Sequence, residues 1–385
     1  MLIPNALKVT EQFYSGITLT NWLRLLWMNH FSIDWCYVPR ALFVGFAALI
    51  SLPFRVYEQM RFGRQIATTP IEEPPLFILG HWRSGTTYLH VLLTQDSHFA
   101  YASNLQVILP EIFLGSKPVF EGAVRKFMPR KRWMDNFLMA PELPSEDEFA
   151  VANLTPYSMY HSLAFPRNRY RYLRYCLMDD LEEEEHEEWK EVVLNYLKKL
   201  TLHAQGRPLV LKNPTYTARI KQLLELFPNA RFVHICRNPY DVFRSTTRMY
   251  NQMFPAFFLQ KPREGESKNY ILDTYHDMYK NYFAQRDLIP AGHLVEVRYE
   301  DLLREPLRVV RDIYDGLGLE GFAESEDAFA AYAAAQRGFQ VNKNVLSEAL
   351  CQEVAEHWGF AFDAWGYPQE EEAYEAASQY QLVRR

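Results

Sequence analysis

The chain has 385 residues, of which 48% are hydrophobic and 15% aromatic, enough for one large α/β domain with insertions and an apolar pocket besides. Its formal net charge of −6 and pI near 6.0 give no general attraction to a phosphate backbone, so nucleic acid is not an expected partner. Cys36, Cys176, Cys236 and Cys351 are far apart and form neither CxxC nor a His/Cys ligand spacing, which points to a reducing compartment and no metal site.

Residues 1–8 lack the basic start, apolar run and small-residue cleavage site of a secretory signal, so a cytosolic chain is expected. Within residues 18–60, Trp22, Leu23, Leu25, Leu26, Trp27 and Met28 precede a mostly apolar run from Ala41 to Phe54, flanked by Arg40 and Arg55. A spanning helix needs about 20 apolar residues, and this run is shorter. Two readings stay open: helices that pack on the core, or contact with the inner face of a membrane through tryptophans and arginines suited to the interface.

Glu72-Glu73-Pro74-Pro75 is a rigid connector into Leu76-Phe77-Ile78-Leu79, four apolar residues suited to a buried parallel strand. Gly80-His81-Trp82-Arg83-Ser84-Gly85-Thr86-Thr87 follows, and then the helical pattern of Leu89, Val91, Leu92 and Leu93. Strand, glycine-bounded turn and helix N-terminus together make an anion site. The spacing Gly80-x4-Gly85-Thr86-Thr87 nearly reproduces GxxxxGK[ST], with Thr86 in place of lysine and Arg83 inside the loop. Loss of that lysine argues against triphosphate hydrolysis and for another phosphate-bearing donor.

Phe99 to Ala102 reads as a second short strand, and Val107 to Leu114, with Pro110, as a loop or broken helix. Arg125, Lys126, Arg130, Lys131 and Arg132 read as a solvated face. Pro144-Ser145-Glu146-Asp147-Glu148 precedes a helical stretch; Ser145 and Glu148 could form a capping box there, or a carboxylate could do acid/base work. The acidic run Glu182 to Glu188 opens a helix reaching about Leu202 and reads as a solvated face.

Pro208 to Leu211 is a further strand, followed by Lys212-Asn213-Pro214-Thr215. Arg231 to Cys236 is a third, ending in Arg237-Asn238 and a helix that carries Ser245. Lys212 and Arg237 thereby fall at the carboxyl edge of the sheet, where open α/β sheets bind ligands. His293 to Arg298 gives a fourth strand, with helices over 246–290 and from Pro306 to Leu317. The segment around Asn342-Lys343 reads as a loop, and 369–385 as a polar tail.

Arg83 to Thr87, Lys212-Asn213-Pro214, Arg237 with Ser245, and Arg298-Tyr299-Glu300-Asp301-Leu302 together resemble the sulfotransferase superfamily, in particular a bacterial group related to the tyrosylprotein sulfotransferases. The resemblance covers residues 75 to 367. It implies an α/β, P-loop-like three-layer fold with a central parallel sheet flanked by helices, here with an N-terminal helical region (1–70), a sulfotransferase domain (71–368) and the tail. It also implies a metal-independent donor, 3′-phosphoadenosine 5′-phosphosulfate (PAPS). Arg83, Ser84, Gly85, Thr86 and Thr87 would hold the 5′-phosphosulfate, and Arg237 and Ser245 the 3′-phosphate. Tyr299 would lie near the nucleotide, and Asn342 and Lys343 in the segment that closes over it.

Lys212 matches the family lysine on the leaving side of the donor. Sulfuryl transfer needs positioning and charge stabilisation, which Arg83, the loop amides and Lys212 suit, and a base for the acceptor hydroxyl. The tyrosylprotein enzymes carry a glutamate where this chain has Asn104, so the base falls to Glu146 or Glu148, with Glu111 and His81 as weaker candidates. The aromatic content and N-terminal region suggest a lipid, sterol or other amphipathic alcohol as acceptor, with a carbohydrate as the alternative. A P-loop kinase using ATP and an inactive nucleotide-fold binder are the competing readings. Thr86 and Arg237-Asn238 disfavour the first, and retention of Arg83 and Lys212 the second.

Overall fold

The computed structural model describes residues 13–129, 138–336 and 346–369. Among them, four parallel strands form one sheet in the order β2-β1-β3-β4: β1 (Leu76–Leu79), β2 (Val210–Lys212), β3 (Arg231–Cys236) and β4 (Leu294–Arg298). β1 is buried on both faces, as its unbroken run of apolar residues requires. Strand alternation sends Phe77, Leu79, Leu211 and Phe232 into one core, while Leu76, Ile78, Val210 and Val233 enter the other. Helices cover both faces, which completes the three layers.

The helices used below are α1 (Leu19–Met28), α2 (Val38–Thr68), α3 (Thr86–Leu93), α4 (Lys117–Phe127), α5 (Glu148–Leu154), α6 (Glu183–His203), α7 (Pro239–Gln252) and α8 (Glu266–Gln285). Every strand end that matters points the same way. β1 runs into the glycine loop and α3, β2 ends on Lys212, and β3 delivers Arg237 to the start of α7.

The N-terminal helices pack on the rest of the chain through a third core. Tyr14, Trp22, Leu25, Val44 and Ala48 meet Ala152, Tyr160, Phe165 and Phe254 there. α2 is far longer than the apolar run suggested, 31 residues with Pro53 inside it. Arg40 near one end donates to the carbonyls of Pro255 (3.1 Å) and Phe258 (3.0 Å). Glu58 accepts from the amides of Leu114 (2.9 Å) and Gly115 (2.7 Å) and pairs with Lys199 at 2.8 Å.

Several local expectations change. Phe99–Ala102 forms no strand, only an isolated bridge from Ala100 to Leu209, because the chain turns into a short helix at Asn104. No capping box forms at Ser145. The cap residue of α5 is Asp147, and the Glu148 side chain is drawn into a buried ion pair instead. A capping box does form at Ser103 and Gln106. The acidic start of α6 is only partly a solvated face, since Glu185 bonds Arg174 and Tyr175, and Glu188 bonds Arg24 and Thr155. Arg125 and Lys126 are exposed; Arg130, Lys131, Arg132, Asn342, Lys343 and residues 370–385 lie outside the described residues.

Candidate active site

The loop after β1 takes a conformation that only particular residues allow. Gly80 has φ +140° and Gly85 φ +97°. A Cβ on Gly80 would come within 2.6 Å of the Ile235 carbonyl oxygen, and one on Gly85 within 2.2 Å of the Tyr299 ring. Arg83 also has positive φ, at 72°, a conformation that costs a non-glycine residue energy and is concentrated at ligand-binding loops. The Gly80 amide donates to Thr217 Oγ1 (2.7 Å), which ties the loop to the segment after β2. Beyond Gly85, α3 begins at Thr86, and the amides of its first turn have no acceptor within the helix.

Two arginines and a serine converge beside this loop. Arg83 Nε donates to Ser245 Oγ at 2.9 Å, and Arg237 Nη1 donates to the Arg83 carbonyl at 2.9 Å. The Arg237 guanidinium lies 4.5 Å from the centre of the Tyr299 ring and 3.5 Å from Asp241. Arg237 is buried and held from several sides, a preorganised cation suited to an anion. The residues of the first, third and fourth motifs thus meet, with Arg83 touching both members of the Arg237–Ser245 pair and Arg237 lying against Tyr299.

Lys212, at the end of β2, bonds the Glu146 carboxylate. Tyr160 donates its hydroxyl proton to the other oxygen of Glu146, and Trp82 Nε1 donates to the Tyr160 oxygen at 3.1 Å. Burial, followed by the charge of Glu146, raises the Tyr160 phenol well above its ordinary range, so it remains a proton donor. Trp82 and Tyr160 were not singled out in the sequence, which offers no spacing that would bring Tyr160 to Lys212.

The two glutamates of the acidic motif have different surroundings. Glu148 is fully buried and accepts from Arg219 (2.9 Å), Asn213 (2.7 Å), Ser158 (2.6 Å) and Thr215 (3.1 Å). Burial alone would raise its pKa, but the Arg219 charge and these hydrogen bonds hold it below the usual range. Its lone pairs are committed. Glu146, in contrast, lines a cavity.

That cavity has a volume of about 870 Å³. His81, Thr87, Glu146, Tyr160 and Lys212 supply polar atoms, while Phe43, Phe46, Ile50, Phe120, Phe127 and Phe257 represent its mostly apolar lining. His81 is buried, which lowers its pKa to about 3, and its Nδ1 proton is donated to the Trp82 carbonyl at 2.8 Å. It stays neutral near pH 7. Asn104 also lines the cavity, with its amide donated to the Ala140 carbonyl at 2.9 Å. Glu111 does not reach the site; it faces Arg55 at 3.6 Å. Among the described residues, no group of three or more His, Cys, Asp or Glu is placed to hold a metal ion.

Residues 74–324 match the family model described as "Sulfotransferase family". The chain belongs to that family. It is an enzyme of sulfuryl transfer, and its P-loop-like layers are those of its structural relatives. The chain is 32% identical over 352 residues, 91% of its own length and 90% of the relative's, to the omega-hydroxy-beta-dihydromenaquinone-9 sulfotransferase Stf3 of Mycobacterium bovis, and equally to that of Mycobacterium tuberculosis. Sulfotransferase STF1 of Mycobacterium tuberculosis superposes with a TM-score of 0.66 at 17% identity, covering 89% of this chain and 93% of that one. STF9 of Mycobacterium avium does so with a TM-score of 0.64 at 21% identity, covering 81% of each chain. These two share the fold.

Proposed function

We propose that this sulfotransferase moves a sulfuryl group from PAPS to the hydroxyl of a lipid or other amphipathic alcohol held in the apolar cavity. The observation that carries the reading is the Lys212–Glu146 pair on the wall of a cavity otherwise lined largely by aromatic and aliphatic side chains. The relatives named for an omega-hydroxylated dihydromenaquinone support an acceptor with a long apolar body and one hydroxyl.

Arg83, Ser84, Gly85, Thr86 and Thr87 hold the 5′-phosphosulfate, and Arg237 with Ser245 the 3′-phosphate, beside the Tyr299 ring. Asn342 and Lys343 belong to the segment assigned to close over the nucleotide. Glu146 takes the acceptor hydroxyl proton as the acceptor oxygen bonds to sulfur. The bond from sulfur to the phosphate oxygen breaks, and Lys212 and Arg83 stabilise the charge left on that phosphate. Tyr160 and Trp82 fix the orientation of Glu146. Glu148 braces the motif through Arg219 and takes no proton. No step requires a metal.

We place the enzyme in the cytosol, peripheral on the inner face of a membrane, with residues 1–70 as an apolar helical region, 71–368 as the catalytic domain and 369–385 as a tail. The free cysteines fit that compartment. The test is labelled sulfate transfer to matched acceptors, a long-chain isoprenoid alcohol beside a simple sugar. Labelling of the lipid alcohol and not the sugar is expected, and labelling of the sugar alone would refute the acceptor.

A further inference from the structure

α2 is buried along one side and apolar along the opposite, exposed side. At about 100° per residue, its buried positions Val44, Ala48, Ser51 and Glu58 lie on one side of the helix. Leu42, Phe46, Leu49, Pro53, Val56 and Met60 lie on the other, spaced four, three, four, three and four residues apart, and all are exposed. Leu42 is 69% exposed, Leu49 56% and Met60 83%. At ~1.5 Å per residue the stripe is about 27 Å long. A surface helix of a water-soluble enzyme normally turns polar residues outward; this one does not.

Three further observations specify what covers it. First, Phe46 and Ile50 are exposed and also line the acceptor cavity, so the cavity wall and the outer face are one apolar surface. Second, α4 lies alongside, with Phe120 against Phe54 at a ring distance of 4.9 Å, and adds exposed Val119 and Phe127. Third, cations outnumber anions on the exposed faces of α2 and α4: Arg61, Arg64, Lys117, Arg125 and Lys126 stand against the partly exposed Glu121, which together with Glu142 pairs with Arg125 and leaves the other four cations in excess. This holds in a chain of net charge −6. Exposed Trp27 and Trp35 add residues that favour the membrane–water boundary.

We infer that the outer faces of α2 and α4 dock on an anionic lipid leaflet, and that the acceptor passes from the leaflet into the cavity along Phe46 and Ile50. α2 is long and apolar enough to cross a membrane, but Arg40 near its start and Glu58 in its second half bond its inner side to the domain. It lies in the interface rather than spanning it. The inference rests on the lipid-acceptor reading above.

The test is flotation of the full chain with phosphatidylcholine vesicles, with and without phosphatidylglycerol, for wild type and for the triple variant Leu42→Glu, Leu49→Glu, Met60→Glu. These three side chains do not line the cavity. Flotation with the phosphatidylglycerol vesicles is expected, weakened at least tenfold in the variant and by high salt, while adenosine 3′,5′-bisphosphate affinity stays within twofold. The inference is overturned if wild type fails to float, if the variant floats equally well, or if the substitutions instead dissociate a dimer of this chain. Equal flotation on phosphatidylcholine alone overturns the anionic leaflet. Failure of wild type to bind the bisphosphate would count against the donor assignment and leave the vesicle result standing.

Discussion

The ammonium of Lys212 and the carboxylate of Glu146 are bonded to each other at the carboxyl end of β2, on the wall of the apolar cavity that His81, Trp82 and Thr87 of the glycine loop also line. A lysine there can meet charge on the donor, and a carboxylate there can meet an acceptor hydroxyl. Glu146→Gln is therefore expected to lower kcat about 10²–10⁴-fold, the usual contribution of a general base, with bisphosphate affinity retained. Steady-state kinetics beside calorimetry checks this. A variant with near wild-type kcat would move the base elsewhere.

Glu148→Gln should behave in the opposite way. It leaves Arg219 buried with its charge uncompensated, which costs about 3–5 kcal/mol of stability. Thermal denaturation should show a large drop, with kcat per folded molecule little changed at low temperature.

Gly85→Ala tests the loop. The added Cβ meets the Tyr299 ring at 2.2 Å, in a backbone conformation that itself costs an L-residue at least about 1–2 kcal/mol. Since Tyr299 also stacks on Arg237, moving the ring disturbs the bisphosphate site. Calorimetry should show affinity reduced tenfold or more, and wild-type affinity in the variant would contradict the loop assignment.

Acid sensitivity follows from buried groups with opposed effects. Burial lowers His81 and His90 to about 3 and His161 to about 4. Below about pH 6.5 the unfolded chain takes up protons at these sites that the folded chain refuses, so stability falls as pH falls. Burial pushes Asp147 up to about 7, against the hydrogen bond from Tyr216. Between about pH 4 and 7 the folded chain keeps that proton while the unfolded chain releases it, so this site lowers stability as pH rises. Asp147→Asn should therefore gain on wild type by about 1.4 kcal/mol per pH unit between pH 5 and 6, the gain levelling off near pH 7. Denaturant titrations at both pH values would check it, and a constant difference would contradict it.

The elements that position the site were legible because they are local. An unbroken apolar run into Gly80, the strand ending at Lys212 and the strand ending before Arg237 each announce both an element and its ligand edge. What escaped was set by tertiary contact. Nothing near Glu148 in sequence names Arg219, whose side chain turns a candidate capping residue into half of a buried ion pair. Nothing near Tyr160 shows that it orients Glu146. For α2 the apolar run was visible, but the helix continues past it, and its inner side is fixed by tertiary contacts such as those of Glu58 with the Leu114 and Gly115 amides.

The central claim is a donor site for a bisphosphate nucleotide built on Arg237. Its most direct test is calorimetric binding of adenosine 3′,5′-bisphosphate, beside ATP with magnesium, to wild type and to Arg237→Ala. Tight binding of the bisphosphate, unaffected by chelator and weakened roughly 10–100-fold by loss of a charged hydrogen-bond partner, is the predicted result. Preference for magnesium-ATP, or indifference to Arg237, would contradict it.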